Sequence, residues 1–213
     1  MLKLSKLSRA KLLLVFLFIS LETSAQDGWY NGEITFLDKT VLNGLIKFNT
    51  EIGAIQYKDG DKIKAFATGE IDMFYFVDTE RNSLRTFFML PIQKRDGYIV
   101  DQFLELLVEG DVTLMASEYT VNEEAIEKNK RRLLYSVPDK PGYVYRDEFY
   151  VMYKDQITQV KHTKDFLGLF EEGSPQYKKL ITYIKKNNIY LDLRSSFAKL
   201  VRQTNKILER DVN

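Results

Sequence analysis

The sequence predicts an α+β protein, a curled antiparallel sheet, barrel- or sandwich-like, of about nine or ten strands followed by two to three amphipathic helices. Three observations carry this. Apolar residues alternate with period 2 from Trp29 to Val121 and again over residues 143–160, then recur with period 3.6 after His162. Tight-turn signals separate the alternating runs. Strands precede helices, unlike the regular alternation that builds parallel α/β sheets. So many strands exceed a small flat sheet, so the sheet is expected to curl or fold over.

Ile34 and Phe36 alternate with polar neighbours up to the turn Asp38-Lys39-Thr40, and Leu42, Gly44, Ile46 and Phe48 alternate on the return. Residues 54–58 and 61–66 flank Asp59-Gly60, whose glycine supplies the positive φ of a tight hairpin turn. Met73, Tyr75 and Val77 oppose Phe74 and Phe76, so both faces of that strand are apolar, as in a covered central strand. Arg81-Asn82-Ser83 leads into residues 84–90, which Pro91 is expected to end. Residues 102–109 and 112–118 flank Gly110-Asp111. Leu104, Leu106 and Val108 are expected on one face, with Phe103, Glu105, Leu107 and Glu109 on the other. Residues 122–132 lose the β pattern and read as a solvated, protease-sensitive stretch, and 138–142 as a second joint. Strands at 143–153 and 156–160 complete the sheet.

Phe166, Leu167, Leu169 and Phe170 predict a short helix ending at Gly173. Ser174-Pro175 then combines a capping hydroxyl with a proline at the first helical position. Tyr177, Leu180, Ile181 and Ile184 form the apolar stripe of the next helix, which Asn187-Asn188 ends. Asp192 is the expected cap of a last helix, with Leu193, Phe197, Leu200, Val201 and Leu208 as its stripe.

The N-terminus reads differently. Lys3, Lys6, Arg9 and Lys11 precede an apolar run at 12–19, and small polar residues follow up to Ala25. That is the layout of a signal peptide at 1–25, with cleavage between Ala25 and Gln26. The run is too short for a bilayer core, which needs roughly 20 apolar residues. The Thr23-Ser24-Ala25-Gln26 junction resembles export signals of Bacteroidota. The β-then-helical layout is similar to uncharacterised secreted and periplasmic proteins of that group. The resemblance implies an exported protein, periplasmic or extracellular, and implies no activity. The expected organisation is a β domain at 26–162 and a helical segment at 163–213 packed on it.

Composition narrows the function classes. The chain has no cysteine, which excludes disulfides, thiol catalysis, thiolate metal sites and a lipid-modified N-terminal cysteine. Beyond Ala25 there are 27 Lys and Arg against 29 Asp and Glu. Residues 174–213 carry nine basic and three acidic residues, and 27–173 carry 18 and 26. A basic tail on an acidic body suits a polyanion or a membrane surface, or docks on its own domain; no nucleic-acid motif accompanies it. No later apolar run approaches transmembrane length.

The single histidine, His162, stands among basic neighbours at a strand-to-helix junction, where capping is the plainer explanation. Glu105 and Glu109, on one strand face, would be roughly 13 Å apart, too far for paired-carboxylate hydrolysis. Asp59 and Asp61 read as turn residues. Tyr143, Tyr145, Phe149, Val151 and Tyr153 line one strand face. Tyr143, Tyr145 and Tyr153 are the candidate binding surface, against the plainer reading of a core stripe. No catalytic, cofactor or metal residue is assigned. The expected function is a non-enzymatic envelope protein that binds a partner protein or polymer. The alternatives are a barrel carrying a small apolar ligand and a carboxylate hydrolase.

Overall fold

The structure is a computed structural model and describes residues 28–94, 96–122 and 143–212. The expected signal peptide with Ala25 and Gln26, the charged 123–132 stretch and the expected joint at 138–142 lie outside the described residues.

Ten strands form one antiparallel sheet: β1 (Tyr30–Phe36), β2 (Val41–Asn49), β3 (Ala54–Asp59), β4 (Lys62–Phe66), β5 (Ile71–Asp78), β6 (Ser83–Gln93), β7 (Ile99–Val108), β8 (Val112–Asn122), β9 (Tyr143–Tyr153) and β10 (Gln156–Val160). Their spatial order is β10-β9-β8-β7-β6-β5-β1-β2-β3-β4. The first four strands form a meander that uses only one side of β1. A single 3-10 turn at Thr68–Glu70 then carries β5 back to the other side. The Leu37 amide donates to the Glu70 carbonyl and pins that crossing. Strands β4 and β10 each have one neighbour, so the sheet curls without closing.

One face runs continuously across the sheet. Ile34, Phe74, Phe87, Glu105, Ala116 and Phe149 are successive ladder partners on β1, β5, β6, β7, β8 and β9. We call this the inner face. Its N-terminal half curls around Ile34, Ile46, Ile55, Phe74, Phe76 and Phe87. Phe74 and Phe87 stack with ring centroids 4.6 Å apart and planes 5° from parallel. Gly32 and Gly44 face each other across β1 and β2. A Cβ on Gly32 would strike the Tyr75 carbonyl, and one on Gly44 the Tyr57 ring, so both positions permit a close approach.

The C-terminal half of that face is covered by α1 (Thr163–Leu167), α2 (Pro175–Asn187) and α3 (Arg194–Val212). Leu114, Phe149, Val151 and Val160 of the sheet pack against Phe166, Leu180, Phe197, Leu200 and Val201 of the helices. A smaller cluster of Leu104, Met115, Tyr150 and Ile92 lies on the outer face.

The helix signals act locally as expected. The Ser174 hydroxyl accepts from the Tyr177 amide at 3.1 Å, Pro175 follows, and Asn188 ends α2 in the left-handed region at φ 49°. Helix α1 is shorter than its apolar pattern suggests, because Gly168 caps it and Leu169 and Phe170 continue as turns. The first bond of α3 runs from the Phe197 amide to the Leu193 carbonyl, so the helix opens one residue beyond Asp192. Strand β6 passes through Pro91 to Gln93. Val77 on β5 is exposed, so the second face of that strand is wetter than its composition suggests.

One expected orientation is overturned. A bulge between Leu106 and Val108 shifts the β7–β8 register and pairs Val108 with Leu114. Leu107 and Val108 therefore both pack toward the helices, and Val108 does not share the face of Leu104 and Leu106. Among the described residues no helix is long and apolar enough to cross a membrane.

Candidate functional site

The inner face is apolar along its ladder except at Glu105, where the curled half meets the helix-covered half. Arg85 on β6 grips this carboxylate, with Nε donating to Oε1 at 3.0 Å and Nη2 to Oε2 at 2.7 Å. Arg194 at the start of α3 donates Nη1 to the same Oε2 at 2.7 Å. Its Nε and Nη2 donate to Asp147 on β9 at 3.1 and 2.6 Å. Arg81 donates to Glu118 on β8 at 3.0 Å, and Asp78 lies 3.7 Å from Arg85. The Arg85 guanidinium also sits over the Phe87 ring, 5.1 Å from its centroid.

Every buried side-chain polar atom among the described residues has a hydrogen-bond partner. Burial works against the charge on Glu105, but the hydrogen bonds and charges of Arg85 and Arg194 outweigh it. They hold the carboxyl below its ordinary value. Burial likewise opposes the Arg85 charge and is outweighed by Glu105, so that guanidinium is held more firmly protonated than usual. A cation at a helix N-terminus is ordinarily unfavourable. Here Glu105 and Asp147 neutralise Arg194 and place negative charge at that end of α3. A carboxylate kept ionised in this way is a poor proton donor at neutral pH, since a general acid needs a raised pKa. The cluster's chemistry is that of a clamp between sheet and helix.

Two clefts flank the clamp and share Glu118. One, of about 640 Å³, opens beside α3 with Arg81, Ser83, Arg194 and Arg202 on its walls. The other, of about 360 Å³, lies between the β2–β3 turn and β6–β8. Phe48, Phe87, Phe103 and Ala116 form its apolar floor, and Ile52 and Val100 stand at its edge. The Thr120 hydroxyl donates to Glu51 at 3.2 Å and ties the β2–β3 turn to β8 across the concavity. A third cleft of about 680 Å³ on the outer face is polar, with Lys94, Lys161, Gln159 and Glu148 on its walls. At its base the buried Tyr150 hydroxyl donates to Glu148 at 3.0 Å, and burial together with that carboxylate raises its pKa.

The residues singled out from sequence fall in several places. Tyr153 is half-buried and packs against Phe170, with ring centroids 5.3 Å apart. Phe149 and Val151 of the same stripe are core. Tyr145 is half-buried, and the Tyr143 side chain lies outside the described residues. Glu105 sits in the clamp, while Glu109 is exposed beyond the bulge. Asp59 and Asp61 flank Gly60, whose φ is 58°. His162 is the N-cap residue of α1, and Asp165 accepts from its amide at 2.8 Å. Burial opposes the Asp165 charge, but the His162 and Lys161 amides outweigh it and keep this carboxyl low.

Arg85, Asp147 and Arg194 were not picked out from the sequence, yet a signal existed. Arg85 interrupts the alternation that leads to Phe87, and Asp147 interrupts the stripe between Tyr145 and Phe149. Charges at core-facing positions on neighbouring strands need partners. The chain matches no protein-family model, no curated protein and no solved structure.

Proposed function

We propose that this chain is an exported, non-enzymatic binding protein of the cell envelope, which recognises a partner protein or polymer at the mouth of the inner-face cleft. The observation that carries the reading is an apolar rim continuous with an apolar floor. Ile52, exposed by 72%, and Val100, exposed by 44%, stand at the mouth, and Tyr98 and Ile99 extend the same hairpin into solvent. Clustered exposed apolar groups beside charged residues are a common mark of interaction surfaces. The leader supports the envelope as the place of action.

A photo-crosslinking amino acid at position 52 or 100, introduced into the full chain in cells, tests this. The expected result is a discrete crosslinked species from both positions and none from position 156 on β10, which is exposed and lies away from the cleft. Crosslinking equally strong at position 156, or none at 52 and 100, would overturn it. Fractionation with N-terminal sequencing checks the address, with Gln26 expected as the first residue of the envelope form.

A second reading is supported by the cleft floor. A volume of about 360 Å³ over three phenylalanine rings suits a small apolar molecule. Mass spectrometry of a solvent extract of the purified protein distinguishes a retained ligand from a macromolecular partner.

A further inference from the structure

The helical layer presents a second surface. The exposed positions of α2 after Pro175 are Lys178, Lys179, Thr182, Lys185 and Lys186. Their spacing puts them on one side of the helix, opposite the buried Leu180. The exposed positions of α3 through residue 209 are Ser195, Lys199, Arg202, Lys206 and Glu209, again at helical spacing on one side. Seven of these ten side chains are cationic and one is anionic.

The helices dock mainly through apolar groups. They pack through Leu180, Phe197, Leu200 and Val201, and the basic group that enters the buried clamp is Arg194. Of the acidic residues nearby along the chain, Glu171 and Glu172 precede α2, Asp192 lies between the two helices and Glu209 is near the end of α3. Apart from Arg202, none of the seven cations lines any of the three clefts described above. The two helices pack against each other as a layer over the sheet, and their exposed cations lie on the solvent side of that layer. Tyr190, exposed by 54%, stands between the helices on that connection. A broad cationic side with an aromatic residue at its margin complements an anionic lipid surface, because lysines gain from the surface potential and tyrosine favours the headgroup level.

We propose that the outer side of α2 and α3 is a docking surface for an anionic lipid bilayer. It acts independently of the inner-face cleft, on the opposite side of the helical layer. Binding is peripheral and electrostatic, with no chain segment crossing the bilayer.

The test is co-sedimentation of the purified mature protein with vesicles of phosphatidylglycerol and phosphatidylcholine, against pure phosphatidylcholine. Binding to the anionic vesicles is expected at low ionic strength and is lost at about 0.5 M salt, where the Debye length falls below 5 Å. Changing Lys178, Lys185 and Lys186 to Gln together is expected to weaken partitioning by about a hundredfold. A matched variant with Lys58, Lys62 and Lys64 changed to Gln removes the same charge from the sheet edge and is expected to partition nearly as the unaltered protein does. Equal losses in the two variants would overturn the proposal, since net charge alone would then explain binding. So would binding to soluble polyphosphate with none to vesicles, which would make the partner a polymer. Circular dichroism of both variants establishes that they fold.

Discussion

The two halves of the inner face solve one problem in different ways. Strands β1–β7 curl until their own side chains meet, so Phe48 on β2 reaches Phe103 on β7 with ring centroids 5.7 Å apart. Strands β8–β10 stay open and borrow three helices as their cover. The difference follows from side-chain supply. The first half has four isoleucines and stacked phenylalanines at inward positions, with glycines where strands must approach closely. The second half has the apolar positions but relies on Phe166, Leu180 and Phe197 from the helices. Where the two solutions meet, neither curl nor helix seals the face with carbon. The gap is filled by Arg85, Glu105, Arg194 and their partners.

The strongest way to break this comparison is to remove one ring from each half. Phe74→Ala and Phe197→Ala should each cost about 3–5 kcal/mol. Urea unfolding followed by tyrosine fluorescence and by far-UV circular dichroism should show one shared transition in both variants, because β7 contributes Phe103 to one core and Val108 to the other. Separate transitions would mean that the halves are independent units.

Next in size is the clamp. Arg85→Met leaves Glu105 buried with one arginine fewer and should cost about 3 kcal/mol. Adding Glu105→Leu to that variant should recover part of the loss, since the uncompensated charge is then gone. A double-mutant cycle on denaturation midpoints measures this, and additive losses would rule out a coupled pair. The same carboxylate sets a pH dependence. Its folded pKa lies below the ordinary value of 4.5, so its contribution is complete above that pH and fades as pH falls through the folded value. Stability should therefore drop in acid below about pH 4.5, and Glu105→Gln should flatten that limb in a pH series of melting temperatures.

A smaller effect is expected where α3 meets β8. The Asn205 side-chain amide accepts from the Val112 amide at 2.8 Å and donates to the Val112 carbonyl at 3.0 Å, as a paired strand would. Asn205→Ala should cost about 1–3 kcal/mol and speed hydrogen exchange at Val112, while Phe74 and its neighbours keep their protection. Smallest is Ser174→Ala, about 1 kcal/mol, seen as faster exchange in the first turn of α2 alone.

Much of the architecture was legible because its causes are local. Alternation marks strands, Gly60 and Gly110 with their neighbours mark turns, and Ser174-Pro175 marks a helix start, each through the conformational limits of a few adjacent residues. The facing of Val108 was not legible, because a bulge is decided by pairing with β8 and leaves little trace in β7 itself. The clamp was half legible. Glu105 reads from sequence only as one of a distant carboxylate pair. Arg85 and Asp147 leave a signal as charges at core-facing positions, but separations of 20 and 42 residues concealed that the three share one site with Arg194.

Sequence alone determined the order of strands and helices, the cysteine-free chemistry and the concentration of positive charge in the last 40 residues. These depend on composition and on neighbours within a few bonds. Tertiary structure decided that the sheet stays open, that Tyr153 faces Phe170, and that seven described cations of α2 and α3 are exposed while Arg194 enters the clamp. Those outcomes depend on which distant surfaces meet. Burial, which favours or forbids a charge, exists only after the chain has packed.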